Sequence, residues 1–158
     1  MSILIMPINS KSYTHNKQEH PPMHTTEHIL NQTMIRMFGC ERSKNAHIER
    51  KKSKADYILK EAPTAGQLAE IEERVNEVIR RELPVTDKIV KRSEVPACVD
   101  LSKLPEEAGE TLRLVYVGDY DICACIGAHV ENTREIGTFK ILNTDFNEGV
   151  LRLRFKLV

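Results

Sequence analysis

The chain has 158 residues, with 23 basic and 23 acidic side chains that cancel to no net formal charge. That length holds one domain with a real core but not a synthetase with an ATP site, and the balanced charge leaves any RNA contact to a local patch. The opening residues Met1 to Ile8 have no basic leader and too few apolar residues for a signal peptide or a membrane span, so a cytoplasmic protein is expected.

Four cysteines in such a compartment are free for packing or metal rather than paired, and the isolated Cys40 and Cys98 read as ordinary core or surface thiols. Residues 1–22 are polar without periodicity from Asn9 onward and read as a tail or lead-in; the domain proper is expected over 23–158. From Met23 to Phe38, Leu30, Met34, Met37 and Phe38 recur at helical spacing, with Pro21 and Pro22 blocking helix upstream and Gly39 ending it. Residues 45 to 60 read as two short strands joined by a cationic turn containing Arg50, Lys51, Lys52 and Lys54.

Thr64 followed by Gln67 has the pattern of a capping box, and Leu68, Ile71, Val75, Val78 and Ile79 then form one apolar stripe to about Leu83. Pro84 breaks this second helix. Val85 to Val90 follows as a strand, then an irregular stretch with Pro96, Pro105 and Gly109. Leu112 to Val117, Ile136 to Leu142 and Val150 to Leu157 are strand-like, and in the last of them Leu151, Leu153, Phe155 and Leu157 alternate with Arg152, Arg154 and Lys156. The expected fold is a single α+β domain, an antiparallel sheet with helices packed on one face.

Two short motifs carry chemistry. His24 and His28 lie four residues apart near a helix start, where side chains share a face and can grip one ion, whereas Pro21 and Pro22 separate His20 from His24. Cys125 and His129 flank a turn containing Gly127 just after a strand, in the segment Cys123-Ala124-Cys125-Ile126-Gly127-Ala128-His129. A buried Cys-x-Cys strand with an unrelated histidine accounts for the second motif alone equally well. Together, however, the two motifs supply three imidazoles and a thiolate, the number and type of ligands that zinc takes in a tetrahedral site.

His-x-x-x-His opening a helix, then Cys-x-x-x-His followed by 130–141 (Val-Glu-Asn-Thr-Arg-Glu-Ile-Gly-Thr-Phe-Lys-Ile), resembles the editing domain shared by alanyl- and threonyl-tRNA synthetases and their free-standing relatives. The helix at 68–76, ending in Leu83-Pro84-Val85, is similar to the alanyl branch. The alanyl branch usually has Cys-Gly-Gly-Thr-His, where this chain has Cys125-Ile126-Gly127-Ala128-His129. Its pocket stretch after the first helix corresponds to Ser43-Lys44-Asn45-Ala46. The resemblance implies His24, His28, Cys125 and His129 as zinc ligands, and Thr26, Ser43, Asn45 and Gly127 as substrate-binding residues. It also implies hydrolysis of a mischarged aminoacyl-tRNA in trans, with serine or glycine on alanine tRNA as the substrate.

Within that reading Glu27 is the candidate general base, with a solvated first-turn glutamate as the plain alternative. Thr25 and Thr26 either cap the helix or orient substrate, and His129 is the candidate for an exchangeable ligand. Arg50, Lys51, Lys52 and Lys54 are candidate tRNA phosphate contacts, or else a solvated turn. Two other functions fit the same residues: a zinc-stabilised tRNA-binding module without catalysis, and a small metalloprotease, since 24–28 also reads as His-x-x-Glu-His.

Overall fold

The computed structural model describes residues 20–99, 101 and 109–158. Of the expected tail only His20, Pro21 and Pro22 are among them, and the part of the irregular stretch that holds Pro105 lies outside the described residues. Helix α1 spans Pro21–Phe38. The two prolines do not block it; they form its first turn, where a missing N–H costs nothing and a fixed φ is already helical. The His24 N–H accordingly reaches the carbonyl of His20, the N-cap residue, at 2.9 Å. At the other end Gly39 takes φ 66° and donates its N–H to Ile35 O.

Strands β1 (Asn45–His47) and β2 (Ser53–Ile58) form a hairpin around the cationic turn. Helix α2 covers Ala65–Arg80 and starts with the expected capping box: Thr64 Oγ1 accepts from the Gln67 N–H at 3.1 Å, and Gln67 Oε1 from the Thr64 N–H at 2.9 Å. Thr64→Ala removes half of that exchange and lowers unfolding stability by about 1 kcal/mol, measurable by urea denaturation. Ile71, Val75, Val78 and Ile79 make the buried stripe of α2.

Strands β3 (Val85–Lys91), β4 (Thr111–Val117) and β5 (Asp121–Ala124) follow, then β6 (Phe139–Asn147) and β7 (Val150–Leu157). All pair antiparallel, in two sheets of order β1-β2-β7-β6 and β3-β4-β5. The α+β class stands, with the strands divided between two sheets. Ile136 is not in a strand. Asn132 and Glu135 form a second capping box around a 3-10 turn, Thr133–Glu135, which delays β6 until Phe139.

Thr133, fully buried, ties the two halves together. Its hydroxyl donates to Ile79 O at the end of α2 and accepts from the Leu83 N–H. Asn76 on α2 does the same for β6, exchanging both amide hydrogen bonds with the Phe139 backbone. Met23, Ile29, Leu30 and Met34 of α1 meet Ile71 and Val75 of α2 and the inward Tyr57, Leu153 and Phe155 in one core. This packing fixes α1 against β4 and β5, and so fixes where the first motif meets the second.

Candidate metal centre

The two motifs, a hundred residues apart, converge. One ligand atom from each of His24, His28, Cys125 and His129 lies within 4.8 Å of the others. Cys125 Sγ is 3.4 Å from His24 Nε2 and 3.5 Å from His129 Nε2. A tetrahedral zinc with its usual Zn–N and Zn–S lengths has N to S edges of about 3.5 Å, so these separations fit the edges of such a site. The four side chains could hold one metal ion, and the donor set is compatible with zinc.

What surrounds the ligands sets their orientation. Each histidine turns Nδ1 outward to a partner, which leaves Nε2 for the cluster. His24 Nδ1 donates to Ala128 O at 3.1 Å, and His129 Nδ1 shares a hydrogen bond with Thr25 Oγ1 at 2.9 Å. His28 Nδ1 faces Asp121 Oδ2 at 3.6 Å, an ion-pair distance longer than a hydrogen bond. Such outer partners fix tautomer and ring angle in metal sites. Thr25 is held in turn by the Val130 N–H at 3.2 Å, so α1 and the loop after Cys125 are stitched at the site itself.

Asp121 is buried and accepts from Gln32 at 2.9 Å and from both guanidinium arms of Arg42, at 2.7 and 3.1 Å. Burial alone would push its carboxyl up. The close approach of His28, together with the hydrogen bonds and positive charge of Arg42, wins and holds it well below the usual carboxylate range. Burial likewise opposes charge on Cys125, yet the His28 and His24 charges and the hydrogen bonds from His129 and His24 bring that thiol well below its ordinary value. The same crowding drives His129, buried and repelled by His28 and His24, down to about 3. A thiol pulled toward thiolate among three imidazoles is a donor set that a divalent cation can take up, displacing the protons the donors carry.

Arg113 of β4 braces the loop from below. Its Nη1 donates to the carbonyls of Cys125, at 3.2 Å, and Gly127, at 2.7 Å, while its Nε meets Asp87 at 2.7 Å. Gly127 itself lies directly on His24: a Cβ built there would sit 2.3 Å from His24 Cε1. The expected substrate residue thus lies in packing contact with a candidate metal ligand.

The remaining expected residues sit as follows. Glu27 Oε1 is 4.0 Å from His24 Nε2, at the partly exposed rim of the cluster. Thr26 is fully buried with its hydroxyl donating to Pro22 O, and neither it nor Thr25 caps the helix. Ser43 is fully buried beside Asn31, and Asn45 donates to Asp56 in a shallow groove with Arg42 and Lys44. Arg50, Lys51 and Lys52 are exposed on the β1–β2 turn and Lys54 lies half-buried in β2. A second groove, of about 260 Å³, reaches His129 between Thr86, Asp87, Arg113 and Glu131. Asp121, Arg42 and Arg113 were not read as site residues. Their partners lie 12 to 93 residues away, and no local spacing announces them.

The family described as the threonyl and alanyl tRNA synthetase second additional domain matches residues 112–154, the stretch that holds Cys125 and His129. The alanine–tRNA ligase of Oceanobacillus iheyensis is 35% identical over 132 residues, covering 82% of this chain and 15% of the ligase. That of Fervidobacterium nodosum is 33% identical over the same shares, and that of Methanocella arvoryzae 31% identical over 138 residues, 84% of this chain and 16% of the ligase. The chain thus spans about one-sixth of the length of these relatives. No helix among the described residues is long and apolar enough to cross a membrane. Ligand motif, α+β fold and relatives are together consistent with an alanyl-tRNA synthetase editing-domain-like family.

Proposed function

We propose that this protein is a zinc-dependent hydrolase that deacylates mischarged aminoacyl-tRNA, with serine or glycine on alanine tRNA as its substrate. The observation that carries the reading is the convergence of three imidazole nitrogens and one thiol within 4.8 Å of one another, in a chain related to alanine–tRNA ligases. A bound zinc ion would supply polarisation of the ester carbonyl or a water of lowered pKa.

The chain's own residues supply the rest. His129, one of the residues that would hold a zinc ion, lines the groove beside Arg113 and Glu131, and the groove receives the aminoacyl end. Glu27, at the rim beside His24, takes the proton of the attacking water and returns it to the leaving ribose oxygen. Thr25 orients the His129 ring through its Nδ1, which leaves Nε2 facing the cluster. The 50–54 turn offers phosphate contacts near the start of α1. A metalloprotease fits less well, because the donors that complete the cluster are Cys125 and His129 rather than a further carboxylate.

The test is release of labelled serine from Ser-tRNA(Ala), with Ala-tRNA(Ala) as control, by the zinc-loaded protein and a Cys125→Ala variant. Serine release by the wild type alone, with alanine spared, is expected. Tight binding of both charged tRNAs without release of either amino acid would replace the hydrolase by a non-catalytic tRNA-binding module.

A further inference from the structure

The face of the four-stranded sheet turned away from the helices carries a charge pattern that neither the fold nor the metal centre uses. On β7, Leu151, Leu153 and Phe155 point into the core, and Arg152, Arg154 and Lys156 stand between them on the other side. The pairing register sets Lys54 and Asn143 beside Arg154, Lys140 beside Lys156, and Asp56 and Asp145 beside Arg152.

The two halves of this face differ. Near Val150 the charges complement each other, with Arg152 donating twice to Asp56 at 2.9 Å. In the other half like charges stand directly opposite: Lys54 across from Arg154 and Lys140 across from Lys156. Such cross-strand pairs destabilise a sheet. Arg154 relieves its own by reaching across to Asn143 and Asp145. Among the described residues no carboxylate pairs with Lys54, Lys140 or Lys156 within 4.0 Å. This end of β2 runs straight into the exposed Arg50, Lys51 and Lys52, and the Arg50 charge acts on His20, the N-cap of the helix that carries His24.

We propose that the strip running from the 50–54 turn onto Arg154, Lys156 and Lys140 is a docking surface for an RNA phosphate backbone. Alternate residues along a strand are about 6.6 Å apart, so the strip presents a regular row of cations suited to a repeating polyanion rather than to one small anion. Asp56 and Asp145 bound it on the far side, which favours a narrow strand of charge over a broad acidic membrane. The cost of the like-charge pairs is then the cost of holding a binding row, which the RNA phosphates relieve. The identity of the RNA as aminoacylated tRNA rests on the hydrolase reading above.

The experiment is equilibrium binding of an uncharged tRNA transcript across a salt series, for the wild type, for Lys140→Gln/Lys156→Gln, and for Arg74→Gln/Arg80→Gln on the opposite, helical side. The strip predicts that removing the two lysines lowers the slope of log K against log salt by roughly one unit each, with zinc content unchanged and the helix variant like the wild type. An unchanged slope in the lysine variant, an equal loss in the helix variant, absence of wild-type binding, or binding to phosphatidylserine vesicles in place of tRNA would each overturn it. Serine release with an unaffected lysine variant would remove the strip and leave the hydrolase. A lysine-dependent slope without serine release would do the reverse.

Discussion

Gly127→Ala is expected to lower metal affinity by ~100-fold or more while leaving the metal-free fold intact. The new methyl would lie 2.3 Å from His24 Cε1 and 2.7 Å from Nδ1, far inside contact distance. In the metal-free protein the imidazole is the free end of a side chain and can swing aside at little cost. Once swung, it loses its hydrogen bond to Ala128 O and its place 3.4 Å from Cys125 Sγ. A lost ligand costs more than the 10- to 100-fold typical of an outer-shell partner. Competition against a chelator reads the affinity, and thermal unfolding of the metal-free protein reads the fold. Undiminished affinity would mean that His24 is not a ligand.

Asp121→Asn is expected to destabilise the fold itself, by about 3–5 kcal/mol, because it leaves the mostly buried Arg42 guanidinium without its countercharge. It also removes the carboxylate that faces His28, so metal affinity falls by a further ~10- to 100-fold. The wild-type carboxyl is held below its unfolded value, so its contribution is complete above the unfolded carboxylate pKa of about 4 and is lost as the pH falls through the lower folded value. The asparagine variant lacks this dependence, and the two stability curves converge on acidification below about pH 4. Urea titrations at several pH values measure it; parallel curves would contradict the assignment.

The parts of this molecule that follow from local spacing were legible in the sequence. His24 and His28 share a helical face because four residues make about one turn, and Cys125 and His129 face each other because a short turn separates them. The capping box at Thr64 and the alternation along β7 are equally local. What escaped is what depends on distant partners. The Asp121 to Arg42 pair spans 79 residues, and the Arg113 brace could not be seen without the β4–β5 register. Pro21 and Pro22 were read as a block when they are the first turn, since a proline excludes helix only beyond the positions whose N–H would be bonded. Ile136 has the apolar character of a strand, but the Asn132 capping box captures its segment first. Ser43, a pocket candidate through the resemblance alone, is buried beside Asn31.

The central claim is that His24, His28, Cys125 and His129 form one zinc centre. The most direct measurement is metal content and cobalt(II) absorption after removal and reloading, for the wild type and a Cys125→Ser variant. One equivalent of zinc per wild-type chain, a thiolate-to-cobalt charge-transfer band, and loss of both in the variant are the predicted results. A wild-type chain that takes up no zinc, or a variant that keeps a full equivalent with undiminished affinity, would contradict the account.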